Sequence, residues 1–165
     1  MDHVRESIGI RPMARGDVPE LLRLMRSIVN FERGTDFQLT EAHLLAHGFG
    51  KKPGFGAYVA DRGGGALAGM AVHYEIPFMH NLRPLLMMKW LFVDPQVRGG
   101  RIGRRLMQRM ALHAQETGHD KICWFVLKDN SPAQGFYRGI GATPDHDWDR
   151  WVLTADALEI MANGG

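Results

Sequence analysis

Cysteine is nearly absent from this sequence of 165 residues: the single Cys123 cannot form an internal disulfide and suits a reducing compartment. Charge of one sign is scarce as well. Twenty lysines and arginines against 18 acids leave a formal net charge of +2, too small an excess for a nucleic-acid footprint. No apolar run approaches the roughly 18 residues of a membrane span, and the longest, residues 85–88 and 122–127, are strand-sized. The opening Met1-Asp2-His3-Val4-Arg5-Glu6 has no apolar leader segment. Repeats, low-complexity tracts and internal linkers are missing too. These absences predict a cytoplasmic protein with neither a nucleic-acid nor a membrane partner. What is present is ordinary globular composition, 45% hydrophobic and 23% charged, which excludes disorder as the main state. The length is that of one domain, residues 1–165.

The hydrophobic patterning predicts a mixed α/β (α+β) domain with strands and helices interleaved. A short strand is expected at 7–12. Asp17 then caps a helix, with Glu20 closing a capping box and Val18, Leu21, Leu22, Met25, Ile28 and Val29 forming one apolar face. Thr40 starts a shorter helix after a polar loop at 30–38. Strands follow at 57–61, 66–76 and 85–93, the first two joined by the glycine turn at 62–65. A helix is expected at 103–116 and a doubly covered strand at 122–127. Ser131 caps the next helix, with Pro132 at its first position and Gln134 completing the box. A last strand at 148–153 precedes a terminal helix capped by Thr154, its Leu158 stapled onto Leu153.

The chemistry concentrates in residues 91–104. A strand feeds a glycine-bearing turn that opens a helix, so backbone N–H groups can approach a ligand closely at the positive end of a helix dipole. Arg98, Arg101 and Arg104 add full charges. The arrangement suits a pyrophosphate; a plain strand-to-helix turn with solvated arginines is the other reading. It lacks the Gly-Lys-Ser/Thr of a Walker loop, and it lies too far along the chain for a dinucleotide fingerprint.

Arg98-Gly-Gly-Arg-Ile-Gly103 resembles the pyrophosphate loop, Arg/Gln-x-x-Gly-x-Gly/Ala, of the GCN5-related N-acetyltransferases. Asn130-Ser-Pro-Ala-Gln-Gly-Phe136-Tyr137-Arg-Gly-Ile-Gly141-Ala142 is similar to the same family's Asn-x-x-Ala-x-x-Phe-Tyr segment. Residues 39–50 and the ending at 148–162 resemble the diamine (spermidine/spermine) branch. The resemblance spans nearly the whole chain. It implies a mostly antiparallel central sheet flanked by helices, acetyl-CoA as co-substrate, no metal, a homodimer, and acetyl transfer by direct attack of a small-molecule primary amine. The backbone of Leu91, Phe92 and Val93 would splay from its neighbouring strand and bond the pantetheine arm. The N–H groups of Gly99, Gly100, Arg101, Ile102, Gly103 and Arg104 would hold the pyrophosphate. Asn130, Ala133 and Phe136 would border the cofactor, and Tyr137 would protonate the leaving thiolate, a suitable task for a phenol of pKa ~10.

Two departures from that pattern involve three positions. Arg101 stands where the loop usually has glycine. Lys89 and Trp90 stand where the polyamine branch has a Glu-Asp pair, although Phe31 and Glu32 keep its aromatic-acid pair. A lysine repels a polycation, so an amino acid fits better than a polyamine. Phe31, Glu32, Lys89 and Trp90 are the expected substrate-side residues. Glu32 is the expected general base, with Glu75 and His73 as alternatives. A non-catalytic acetyl-CoA-binding sensor and a protein N-acetyltransferase are the other readings of the same residues. Asp145-His146-Asp147 reads as a solvated turn rather than a metal site, Cys123 as a buried inert thiol, and Trp148 and Trp151 as strand or subunit packing.

Overall fold

The computed structural model describes residues 8–77, 79–97 and 101–164. The elements in chain order are β1 (Gly9–Pro12), α1 (Val18–Phe31), α2 (Glu41–Gly48), β2 (Gly56–Asp61), β3 (Leu67–Ile76), β4 (Leu85–Val93), α3 (Ile102–Glu116), β5 (Ile122–Cys123), α4 (Ser131–Gly139) and α5 (Ala155–Ala162). The chain divides into two units, Met1–Leu127 and Lys128–Gly165. The first unit carries the whole sheet, in the order β1-β2-β3-β4-β5, antiparallel except for the parallel pair β4 and β5. The mixed α/β fold is thus the one the patterning predicted, and the mostly antiparallel sheet the one the resemblance implied.

Each face of the sheet is closed by the helices whose apolar stripe fits it. On one side α1 buries Val18, Leu21, Leu24, Met25 and Ile28 against Val59, Met70 and Val72, with Leu44 of α2 joining them. Leu24, not Leu22, completes that stripe, since Leu22 is only half-buried. On the other side α3 lays Leu106, Met107 and Met110 across β2, β3 and β4. Gly69 has no room for a side chain: a Cβ there would meet the Phe92 carbonyl oxygen at 2.6 Å, so β3 and β4 approach closely at their paired Gly69 and Val93.

Asp17 does not cap α1. Its carboxylate is drawn instead to the Arg11 guanidinium, at 2.7 and 2.8 Å, and accepts the Ala14 N–H. Arg11 also reaches Asp61 at 2.8 Å, so one guanidinium joins β1, β2 and the entry to α1. That bond to Arg11 outweighs burial and holds the Asp17 carboxyl below its ordinary value. Glu20 likewise forms no capping box; it binds Arg23 and accepts the Leu67 N–H. Thr40 caps α2 as expected, accepting the His43 N–H while His43 Nδ1 accepts the Thr40 N–H.

β5 is the main departure within the first unit. It is two residues long rather than the six of 122–127, and Phe125 is 70% exposed, so this stretch is not a strand covered on both faces. Cys123 is free and half-buried rather than buried. In the second unit no strand forms at 148–153; these residues are exposed, Trp151 to 92%. A strand needs a hydrogen-bonding neighbour, and the described residues of 128–165 contain no other strand. Asp145 Oδ1 accepts the Asp147 N–H, the local turn expected of Asp145-His146-Asp147.

Candidate functional site

Among the described residues, β4 pairs with β3 along nearly its whole length but with β5 over only two positions. Its pairing with β3 runs from Leu85 to Val93, whereas the β5 register stops at Leu86↔Ile122 and Met87↔Cys123. The peptide groups of Leu91, Phe92 and Val93 therefore lie where the sheet has opened on the β5 side. The chain then turns through Asp94, whose backbone N–H donates to Ala68 and whose side chain accepts the Gln96 N–H. Arg23 clamps Asp94 at 2.9 Å while also holding Glu20, which fixes the base of the turn to α1. Burial pushes the Asp94 carboxyl up, but these bonds pull it below its ordinary value.

α3 starts immediately beyond. Its N-cap residue Arg101 sits in the left-handed region, at φ 52° and ψ 36°, and gives no side-chain cap. The first turn contains no acid. Among the described residues nothing caps the N–H groups of Ile102, Gly103 and Arg104, which form the positive end of the helix. Arg98, Gly99 and Gly100, expected to complete the turn, lie outside the described residues. The left-handed backbone explains why a glycine would be comfortable at Arg101.

A bulge shapes the other part of the site. Val72 pairs with Trp90 and His73 with Met88, so Lys89 has no partner across the ladder. The extra residue breaks the two-residue alternation, and Lys89 and Trp90 both line one cavity of about 290 Å³ on the α1 and α2 side of the sheet. Its apolar walls include Met25, Leu39, Leu44, Phe55 and Val72; its polar lining is His43, His47, Tyr74 and Lys89. The Lys89 ammonium stands 5.2 Å from the Trp90 ring centre, and the Trp90 indole N–H donates to Glu32 at 3.4 Å. Glu32, Lys89 and Trp90, distant in sequence, are therefore neighbours. Phe31 is exposed and makes no part of the cavity wall.

The alternative bases sit elsewhere. His73 and Glu75 point to the α3 side, where the His73 ring lies 4.6 Å from that of His113, and Glu75 meets His119. Neither lines the cavity.

In the second unit Asn130, not Ser131, caps α4: its side chain accepts the Ala133 N–H at 3.2 Å, and Pro132 is the second helical residue. Phe136 and Tyr137 meet edge to face at 5.3 Å. The contributions of His43 and His47 were missed from the sequence. Their four-residue spacing on a short amphipathic helix was the available signal.

In the first unit a strand edge only briefly paired leads toward the start of α3, and a cavity of about 290 Å³ lies on the α1 and α2 side of the same sheet. The sequence profile of the acetyltransferase (GNAT) family matches residues 21–142, and the chain belongs to that family of acyltransferase enzymes. It is 27% identical to the thialysine N-epsilon-acetyltransferase of Sus scrofa, over 94% of this chain and 98% of that protein. It is also 27% identical to the spermidine/spermine N(1)-acetyltransferase-like protein 1 of Homo sapiens, over 93% of this chain and 23% of that protein. Among solved structures, an integron cassette protein from the mobile metagenome of V. cholerae shares the fold, with a TM-score of 0.78 at 24% identity over 94% and 98% of the two chains. An aminoglycoside acetyltransferase from a soil metagenome shares it at a TM-score of 0.75 and 20% identity, over 90% and 96%.

Proposed function

We propose that this chain is an acetyl-CoA-dependent N-acetyltransferase acting by direct attack on the primary amine of a small molecule, amino-acid-like or diamine-like. One observation carries the reading: the edge of β4 that β5 leaves uncovered runs into the uncapped start of α3. An extended edge suits the amide-bearing pantetheine arm, and an acid-free helix start suits a pyrophosphate. The backbone of Leu91, Phe92 and Val93 would hold the arm, and residues 98–104 the pyrophosphate, with Asn130, Ala133 and Phe136 bordering the cofactor. When bound, acetyl-CoA supplies the activated acetyl group.

The acceptor enters from the cavity lined by Lys89 and Trp90. At neutral pH most alkyl amines are protonated, so a base must act first; Glu32, held at the Trp90 indole, takes that proton directly or through water. The neutral amine attacks the thioester carbonyl. Its C–N bond forms as the C–S bond breaks, the Tyr137 hydroxyl donates a proton to the departing thiolate, and the proton shed by the new amide nitrogen restores the phenol. The relatives are named for thialysine and for spermidine and spermine, which is why both acceptor types enter the proposal. A cytoplasmic homodimer completes the reading.

The test is coenzyme A release from acetyl-CoA across amino acids, polyamines and aminoglycosides, in wild type and Tyr137→Phe. Turnover that falls about a hundredfold in the variant supports the reading, because a positioned general acid contributes on that order. Acetyl-CoA binding with no turnover on any amine would make the chain a sensor.

A further inference from the structure

We infer that the acceptor carries an anionic group besides its amine, and that Lys89 selects for it. This rests on the acetyl-transfer reading and decides between its two acceptor classes. Three features of the cavity carry it.

The first is the bulge. A regular strand would send Lys89 and Trp90 to opposite faces, but the unpaired Lys89 brings both to one cavity. The second is the sign of the charges. Among the described residues no carboxylate lines the cavity, whose titratable residues are His43, His47, Tyr74 and Lys89. Among the described residues no acid lies within ion-pairing distance of the Lys89 ammonium, whose one close contact of note is the Trp90 ring. An ammonium in that position has unspent capacity for an anion.

The third feature is the arrangement around Trp90. Glu32 meets the edge of the indole and Lys89 its face, so one side chain has an acid on one side and a base on the other. A molecule with an amine at one end and a carboxylate at the other fits that polarity along an apolar wall. A diamine does not, because its second ammonium would face Lys89. The volume of about 290 Å³, at the small end of ligand cavities, suits an acceptor the size of a free amino acid.

The experiment uses three amines that share one five-methylene chain and differ only at the far end: ε-aminocaproate (carboxylate), hexylamine (methyl) and cadaverine (ammonium). For the full chain, kcat/KM is expected to fall in that order, with about a tenfold or larger gap between first and last. Lys89→Arg keeps the order and Lys89→Glu reverses it. Lys89 is exposed, so neither change disturbs the core. Equal kcat/KM for the three, cadaverine first in wild type, or an unchanged order in Lys89→Glu overturns the inference. Calorimetric Kd values for the same amines, measured with coenzyme A present, read the preference without turnover. Binding in the expected order with no turnover supports the charge selection and overturns the proposed reaction. Turnover without the order does the reverse.

Discussion

The two faces of β3 and β4 are built from alternating residues of the same strands, yet they have opposite characters. Toward α1 and α2 the sheet presents Met70, Val72, Trp90 and Phe92, an apolar surface that leaves a cavity with Lys89 at its wall. Toward α3 it presents a polar cluster. There Tyr58 bonds His113 Nδ1 at 3.1 Å, His73 stacks on Tyr58 and meets the His113 ring at a tilt, and Arg109 lies over Tyr58. His119, its side chain wholly buried, shares a hydrogen bond with Thr117 and touches Glu75 at 2.8 Å, out of line for a second one. The contrast teaches where each face keeps its charge. The cavity side exposes the Lys89 ammonium, whereas on the α3 side burial pushes the His73 and His113 imidazoles below their ordinary value. Burial first, then the neighbouring His113 and His119, push the His73 imidazole down to about 4.

The largest expected effect breaks the apolar face. Met70 is fully buried beneath α1, so Met70→Ala should destabilise the chain by about 2–5 kcal/mol through lost burial and a residual cavity, read from denaturant melts. A loss under about 1 kcal/mol would mean that this face collapses freely around a gap.

Acid should break the other face. The unfolded His73 imidazole titrates at its ordinary 6.5 and the folded one near 4. Between those values the unfolded chain binds a proton that the folded chain refuses. Stability therefore falls as pH drops through about 6.5 and levels off below about 4, by up to about 3 kcal/mol for this group. The carboxyls of Asp17 and Glu20, held low chiefly by Arg11 and Arg23, lose their share only at lower pH, below their ordinary 3.8 and 4.5. Melting curves of wild type and His73→Gln between pH 7 and about 5 separate the two contributions. The variant should show the flatter profile.

Gly56 sharpens the comparison at one atom. It pairs with His73, and a Cβ there would meet the imidazole at 2.7 Å. Gly56→Ala should cost about 1–3 kcal/mol, and His73→Ala in the same chain should recover much of it. Simple additivity in that double-mutant cycle would show that the ring moves aside freely.

The smallest effect concerns the start of α3, the helix that covers the polar face. Arg101→Gly trades relief of left-handed strain against added freedom of the unfolded chain, so stability should shift by less than about 0.5 kcal/mol. Arg101→Val, with a branched side chain at φ 52°, should lose about 1 kcal/mol or more. Equal melting temperatures for the two would remove backbone strain from the account.

Much of the fold was legible because its signals are local. The bounds of β4, at 85–93, follow from an apolar run stopped by Asp94-Pro95, and α3 ends where a helical stripe meets Gly118. Thr40 was recognisable as a cap because a hydroxyl beside a helical stripe has one nearby N–H to serve. Asp17 defeated the same reasoning: its competitor, Arg11, is brought close by β1, and a guanidinium outbids a backbone amide for a carboxylate. The short β5 and the unformed strand at 148–153 failed for a different reason. Apolar alternation states a preference for a sheet but does not supply the neighbouring edge.

The candidate site divides along the same line. The start of α3 was readable as a string, since glycines followed by a helical stripe are a contiguous feature. The cavity was not, because Leu39, His43, Phe55, Tyr74 and Lys89 come from separate elements and meet only when α2 closes over the sheet. By itself, then, the sequence determined the element order as far as α4, the apolar stripes, the helix start after β4 and the family, all set by residues within a few positions of one another. Only the tertiary structure decided that Lys89 occupies a bulge, that it shares Trp90 with Glu32, and that His73 is shut into the opposite face. Those outcomes depend on strand register, which long-range pairing sets and no short stretch of chain encodes.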